Sequence, residues 1–137
     1  MILSACANNQ SALPTQSQDC QTPLEWKIEF TLSGGIAGLS RSLTISNSGN
    51  AIVQDLKKRE IHESSLSIDE IEKIAELLAK ACPFENERSD ISCADCLSYK
   101  LFISMNGGQY SLDINDLNIP ENTTPIIIYL RSYVTNQ

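Results

Sequence analysis

Ser67-Ile68-Asp69-Glu70-Ile71-Glu72-Lys73-Ile74-Ala75-Glu76-Leu77-Leu78-Ala79-Lys80-Ala81 is where this sequence changes its rhythm. Ser67 stands three residues before Glu70, the spacing at which each side chain can satisfy the other's free backbone N–H at a helix start. Ile71, Ile74, Ala75, Leu78 and Ala81 then fall on one face of a 3.6-residue period, and Asp69, Glu72, Lys73, Glu76 and Lys80 cover the opposite one. Pro83 cannot continue a helix and restricts the residue before it, so the segment ends near Cys82. This is one amphipathic helix, and on both sides of it the period is two.

Upstream, Trp26, Ile28, Phe30 and Leu32 alternate with Lys27, Glu29 and Thr31, as in a strand with one buried and one wet face. The chain then passes through Ser33-Gly34-Gly35-Ile36-Ala37-Gly38-Leu39-Ser40, whose three glycines permit the positive φ of a tight connection. A second strand runs from Arg41 to Ser46. After the turn signal Asn47-Ser48-Gly49-Asn50, a third covers Ala51 to Leu56, or on to Ile61. Downstream, Leu97, Tyr99, Leu101 and Ile103 alternate with polar residues, and Asn106-Gly107-Gly108 turns the chain into Tyr110, Leu112 and Ile114. Thr124 and Pro125 suit an N-cap and first turn, so Ile126 to Val134 reads as a closing helix. Two meanders interrupted by a helix, without strand-helix-strand alternation, predict an α+β fold. Its antiparallel sheet has about five strands in the order β-β-β-α-β-β-α, with two helices on one face.

The chain has 137 residues, enough for one core. Ten Lys and Arg against seventeen Asp and Glu leave a net charge of −7, a poor start for binding nucleic acid. That charge is concentrated: the segment from Glu60 to Asp95 has ten acids and three bases, and the remainder balances. These acids would solvate a helix face and a loop, or else steer a cationic partner or hold a divalent ion weakly. With His62 as the single histidine, paired-His metal sites are excluded, and no Gly-x-Ser-x-Gly accompanies it. No catalytic residue, metal or cofactor is assigned, and the protein is read as a non-enzyme. Asn122-Thr123-Thr124 matches a glycosylation acceptor but is read as part of the helix cap.

Met1-Ile2-Leu3-Ser4-Ala5-Cys6 ends in Leu-Ser-Ala-Cys, which resembles the lipobox at which bacterial lipoproteins are cleaved and acylated, with Cys6 as the lipidated thiol. Ala7 to Pro23, rich in Asn, Gln, Ser, Thr and Pro, reads as a flexible tether. Residues 1–23 are thus expected to be a truncated lipoprotein signal and tether, and residues 24–137 one domain. Export to the bacterial cell envelope and a lipid anchor in the membrane follow as expectations. Setting Cys6 aside leaves Cys20, Cys82, Cys93 and Cys96, an even number that suits two disulfides in an oxidising compartment. The favoured pairing joins Cys82 to one member of the Cys93-Ala94-Asp95-Cys96 pair and Cys20 to the other, because a bond within the pair closes a small ring. A redox dithiol, or a zinc site built from Cys82, Cys93, Cys96 and a fourth ligand, are the sharper readings.

Ser33-Gly34-Gly35-Ile36-Ala37-Gly38-Leu39-Ser40-Arg41 resembles the Gly-Gly-Phe-Ala-Gly-Leu-x-Arg segment of the emfourin family, small protein inhibitors of thermolysin-like metallopeptidases associated with protealysin-type enzymes. The order of elements from about Trp26 to Val134 is similar as well. Ile36 stands where the family has Phe, and the cysteines and tether have no counterpart. The resemblance implies a reversible metallopeptidase inhibitor with partner-binding residues Gly34, Gly35, Ile36, Ala37, Gly38, Leu39 and Arg41. Ile36 and Leu39 would reach an aliphatic pocket, and Arg41 an acid on the enzyme's rim. The alternative for this loop is a folding role, with Ile36 and Leu39 in the core and Arg41 on a wet strand face. The alternative for the whole protein is an envelope interaction module of unknown ligand or, more weakly, a thiol redox protein.

Overall fold

A computed structural model describes residues 20–136 apart from 86 and 89–91. The alternating segment forms strand β1, Trp26–Gly34, at the centre of an antiparallel sheet. It pairs on one side with β2, Leu39–Ser46, and on the other with β6, Leu97–Met105. β3, Asn50–Asp55, and β4, Glu60–Ser65, continue outward from β2, while β7, Gly108–Asn115, flanks β6. A two-residue β5, Glu87–Arg88, runs parallel to the outer edge of β7, giving the order β4-β3-β2-β1-β6-β7-β5.

The α+β class expected from sequence is therefore the one observed, with six antiparallel strands in place of about five. The extra strand arises because the chain does not run straight from Ala51 to Ile61. Asp55 accepts the N–H groups of Lys57 and Lys58 at 3.1 and 3.0 Å, Arg59 takes φ of 59°, and the chain folds back as β4.

Trp26, Ile28, Phe30 and Leu32 point to one face with Leu43, Ile45, Val53, Tyr99, Leu101, Ile103, Leu112 and Ile114, and all are buried. Lys27, Glu29, Lys100 and Phe102 face water on the other side. Two helices cover the apolar face: α1, Ile68–Ala81, and α2, Thr124–Thr135, which follows a 3₁₀ turn at Glu121–Thr123. The reciprocal cap forms, with Ser67 Oγ accepting from Glu70 N–H at 3.1 Å and Glu70 Oε1 accepting from Ser67 N–H at 2.9 Å. α1 buries Ile74, Ala75, Leu77, Leu78 and Ala81, and each large aliphatic side chain so buried contributes about 1.5–3 kcal/mol. Ile126, Ile127, Leu130 and Val134 do the same for α2. Among the described residues no helix is long and apolar enough to cross a membrane.

One cap differs from expectation. Thr124 is already helical, because the 3₁₀ turn runs directly into α2, and its hydroxyl donates to Pro120 O at 3.1 Å. Asn122 instead caps the other helix: its amide donates to the carbonyls of Ala81 and Pro83 at the end of α1, where helical carbonyls lack partners. This welds the start of α2 to the end of α1.

The four described cysteines are paired, but not as favoured from sequence: the bonds are Cys20–Cys82 and Cys93–Cys96. Cys96 lies at the Gly34 end of β1, where its carbonyl accepts the Gly35 N–H at 3.0 Å. Cys82 lies away from that end: Phe84 packs at a tilt against Tyr110, near the β6–β7 turn, and Gln21, next to Cys20, accepts a hydrogen bond from Asn106 of that turn. Ile103, opposite Tyr110, and Leu97 are six residues apart along β6, about 20 Å at about 3.3 Å per residue and well beyond the roughly 7 Å that a disulfide can bridge between Cα atoms. The objection to a bond within the pair fails because the Ala94-Asp95 turn brings the Cα atoms of Cys93 and Cys96 to 5.4 Å, an ordinary separation. The sulfurs of Cys82, Cys93 and Cys96 are taken up in these two bonds, and among the described residues no group of three or more His, Cys, Asp or Glu is placed to hold a zinc ion.

Candidate functional site

The glycine segment forms a four-residue turn between β1 and β2, closed by Gly38 N–H donating to Gly35 O at 3.1 Å. Gly34 and Gly35 sit at φ of 91° and 75°, where a side chain is strained. Space forbids one as well: a Cβ at Gly34 would lie 2.8 Å from the Cys96 carbonyl oxygen, and one at Gly35 2.9 Å from Leu97 Cδ2. The glycines let this loop lie directly on the residues that precede β6. Having no room beneath it, the turn projects outward, and Ile36 at its tip is 91% exposed with Ala37 exposed beside it.

The other residues of the segment turn away from the tip. Leu39 is half-buried and packs against the core. Arg41 shares the helix-covered side of β2 with Leu43 and Ile45, a consequence of strand parity. Its Nη1 donates to Val134 O in the last turn of α2 at 2.8 Å, and its Nε lies 3.5 Å from Asp55 Oδ2. Arg41 is thus not on the wet strand face of the folding reading, and its guanidinium is engaged within the domain. It serves as a side-chain cap on α2. The Asp55 carboxyl is held below its ordinary range, first by the Lys58 N–H, then by that of Lys57 and the charge of Arg41.

Two features that sequence reasoning passed over belong to the same end of the sheet. The Cys93–Cys96 turn braces the glycine loop through the Gly35–Cys96 hydrogen bond. Leu117, just past β7, is 61% exposed in the row beyond Leu97, to whose carbonyl Asp116 N–H donates at 3.1 Å. A lone Leu in Asn115-Asp116-Leu117-Asn118 carries no periodic signal, so only position marks it. Beneath this end a polar network ties sheet to helix. Tyr99 OH donates to Asp116 Oδ1 at 2.5 Å, Arg131 Nη1 donates to Tyr99 OH at 3.0 Å, and Leu97 N–H donates to Asp116 Oδ2 at 2.9 Å. Burial, and then the Asp116 carboxylate, push the Tyr99 hydroxyl above its ordinary titration range, so it stays a donor.

Elsewhere the surface offers less. A concavity of about 680 Å³ lies at the opposite end, between Gln21–Lys27 and the Asn106 turn, with Glu25 and Lys27 the titratable side chains in its lining. His62 is exposed on the edge strand β4, beside a hollow of about 50 Å³ that it shares with Arg41, Asp55 and Lys58. Asp69, Glu72 and Glu76 face water on α1, and among the described residues no group of three or more His, Cys, Asp or Glu is placed to hold a metal. Cys6 and residues 7–19 of the tether lie outside the described residues. No protein-family model matches this chain, and no curated protein or solved structure is significantly similar to it.

Proposed function

We propose that the chain is a non-enzymatic, exported binding protein of emfourin-like fold that inhibits thermolysin-like metallopeptidases reversibly, using the turn from Gly34 to Leu39. The observation that carries this reading is Ile36: an aliphatic side chain almost fully exposed on a turn whose backbone is held from below. A rigid turn loses little entropy on binding, and one apolar anchor entering a pocket can dominate the energy of an interface. Enzymes of this class accept bulky aliphatic side chains in their main specificity pocket, which Ile36 suits by size and shape. Leu117 would border the same contact. Two disulfides accord with an oxidising compartment, and a lipid on Cys6 would hold the domain at the bacterial envelope.

The test is titration of a thermolysin-like peptidase with the full chain and with Ile36→Asp. The wild type should inhibit in a dose-dependent manner, and the variant should inhibit at least roughly 30-fold more weakly with unchanged thermal stability. Inhibition indifferent to Ile36→Asp would move the contact off this turn. Failure to inhibit any of several such enzymes would favour the envelope interaction module with another ligand.

A further inference from the structure

We propose that the Cys93–Cys96 disulfide is an exchangeable latch on the glycine loop: a dithiol reductant opens it, the loop loosens, and the hold of Ile36 on its partner weakens. The regulatory half of this inference rests on the reading of Ile36 as the anchor.

Three observations carry it. The first is the contrast between the two disulfides. Cys20 and Cys82 are 62 residues apart in sequence, whereas Cys93 and Cys96 are three apart in a half-exposed turn. Cys82 packs against the apolar core, whereas Cys93 and Cys96 flank the exposed Ala94 and Asp95, and access governs how fast a thiolate attacks a disulfide, so the short bond should open first. A reductant can therefore reach one bond and spare the other. The second observation is the coupling. The Cys96 carbonyl accepts the Gly35 N–H at 3.0 Å, and it lies so close to Gly34 that a Cβ there would approach it to 2.8 Å. The third is where the coupling stops. Leu97, the next residue, is clamped through both its N–H and its carbonyl to Asp116, at 2.9 and 3.1 Å. Opening the bond should leave β6 in place from Leu97 onward and free the turn at 93–96 with the loop resting on it.

The pair is a substrate for reduction and not a dithiol catalyst. Asp95 lies between the two cysteines and a strand follows them, so among the described residues no helix N-terminus favours a thiolate there. The chemistry balances as ordinary exchange. A thiolate of the dithiol attacks one sulfur, the S–S bond breaks, and the other cysteine leaves as a thiolate that takes up a proton. The second thiolate of the reductant then attacks the mixed disulfide and releases the second cysteine thiol. Two electrons and two protons pass to Cys93 and Cys96, and the reductant ends as a disulfide.

The test is graded reduction of the full chain with dithiothreitol, with differential alkylation and peptide mapping of samples at each step. A state with Cys93 and Cys96 free and Cys20–Cys82 intact is expected first. In that state, desalted anaerobically, amide exchange at Gly35 should quicken at least roughly tenfold, and inhibition of a thermolysin-like peptidase should weaken by a similar factor and recover on reoxidation. A Cys93→Ser/Cys96→Ser variant should reproduce both changes without reductant. Opening of Cys20–Cys82 first would overturn the latch, as would unchanged Gly35 exchange or undiminished inhibition in the reduced state. Oxidised protein that inhibits no peptidase while Gly35 exchange still responds would retain the latch and remove the inhibitor reading instead.

Discussion

Replacing Cys20 and Cys82 together by Ser should cost far more stability than replacing Cys93 and Cys96, although each change removes one sulfur bond. The Cys20–Cys82 bond, with a sequence separation of 62, closes a loop that contains β1 to β4 and all of α1. In the chain-entropy treatment such a bond restricts the unfolded state by about 14 cal/mol/K, which is roughly 4 kcal/mol at 25 °C. The three-residue separation of Cys93 and Cys96 gives about 2 kcal/mol by the same treatment. For a domain of this size each kcal/mol moves the midpoint by about 4 °C, so Tm should fall by about 15 °C in the first variant and about 7 °C in the second. The assay is reversible thermal unfolding by circular dichroism, with urea titration as a second axis. Equal losses, or a larger loss for Cys93→Ser/Cys96→Ser, would refute the loop-closure reasoning.

Arg41→Met should remove about 1.5–3 kcal/mol, because a charge-assisted hydrogen bond to the last turn of α2 is lost, while inhibition stays unchanged. Weakened inhibition at unchanged stability in a urea titration would instead make Arg41 a contact residue. Alkaline pH should destabilise the protein, and Tyr99 is one cause. Its hydroxyl titrates above the ordinary value near 10 when folded, so between about pH 10 and the folded value the native state binds more protons than the unfolded one, and stability falls as pH rises. Unfolding free energies of Tyr99→Phe measured from pH 8 to 11 should fall less steeply than those of the wild type; an identical slope would mean that Tyr99 does not contribute.

Much of this fold was legible because local rules and global packing agree. Trp26 to Leu32 alternates since one face of the sheet is covered and the other wet, and Ser67 with Glu70 announces α1 because its first N–H groups must find acceptors nearby. β4 escaped notice for the opposite reason. All six of its residues are exposed on an edge, so no apolar alternation marks Glu60-Ile61-His62-Glu63-Ser64-Ser65. The candidate site was half legible: three glycines within five residues announce a tight turn, but they do not say what the turn lies against.

The sequence by itself determined the periodicities, the turn chemistry and the even set of cysteines left once Cys6 is set aside, since each depends on residues a few positions apart. Tertiary structure alone decided which cysteines meet, which way Arg41 points, and that Ile36 stands free while Leu39 does not. Those outcomes depend on the register of β1 against β6 and on the strand parity that follows from covering one face. They are fixed only when segments distant in sequence are brought side by side.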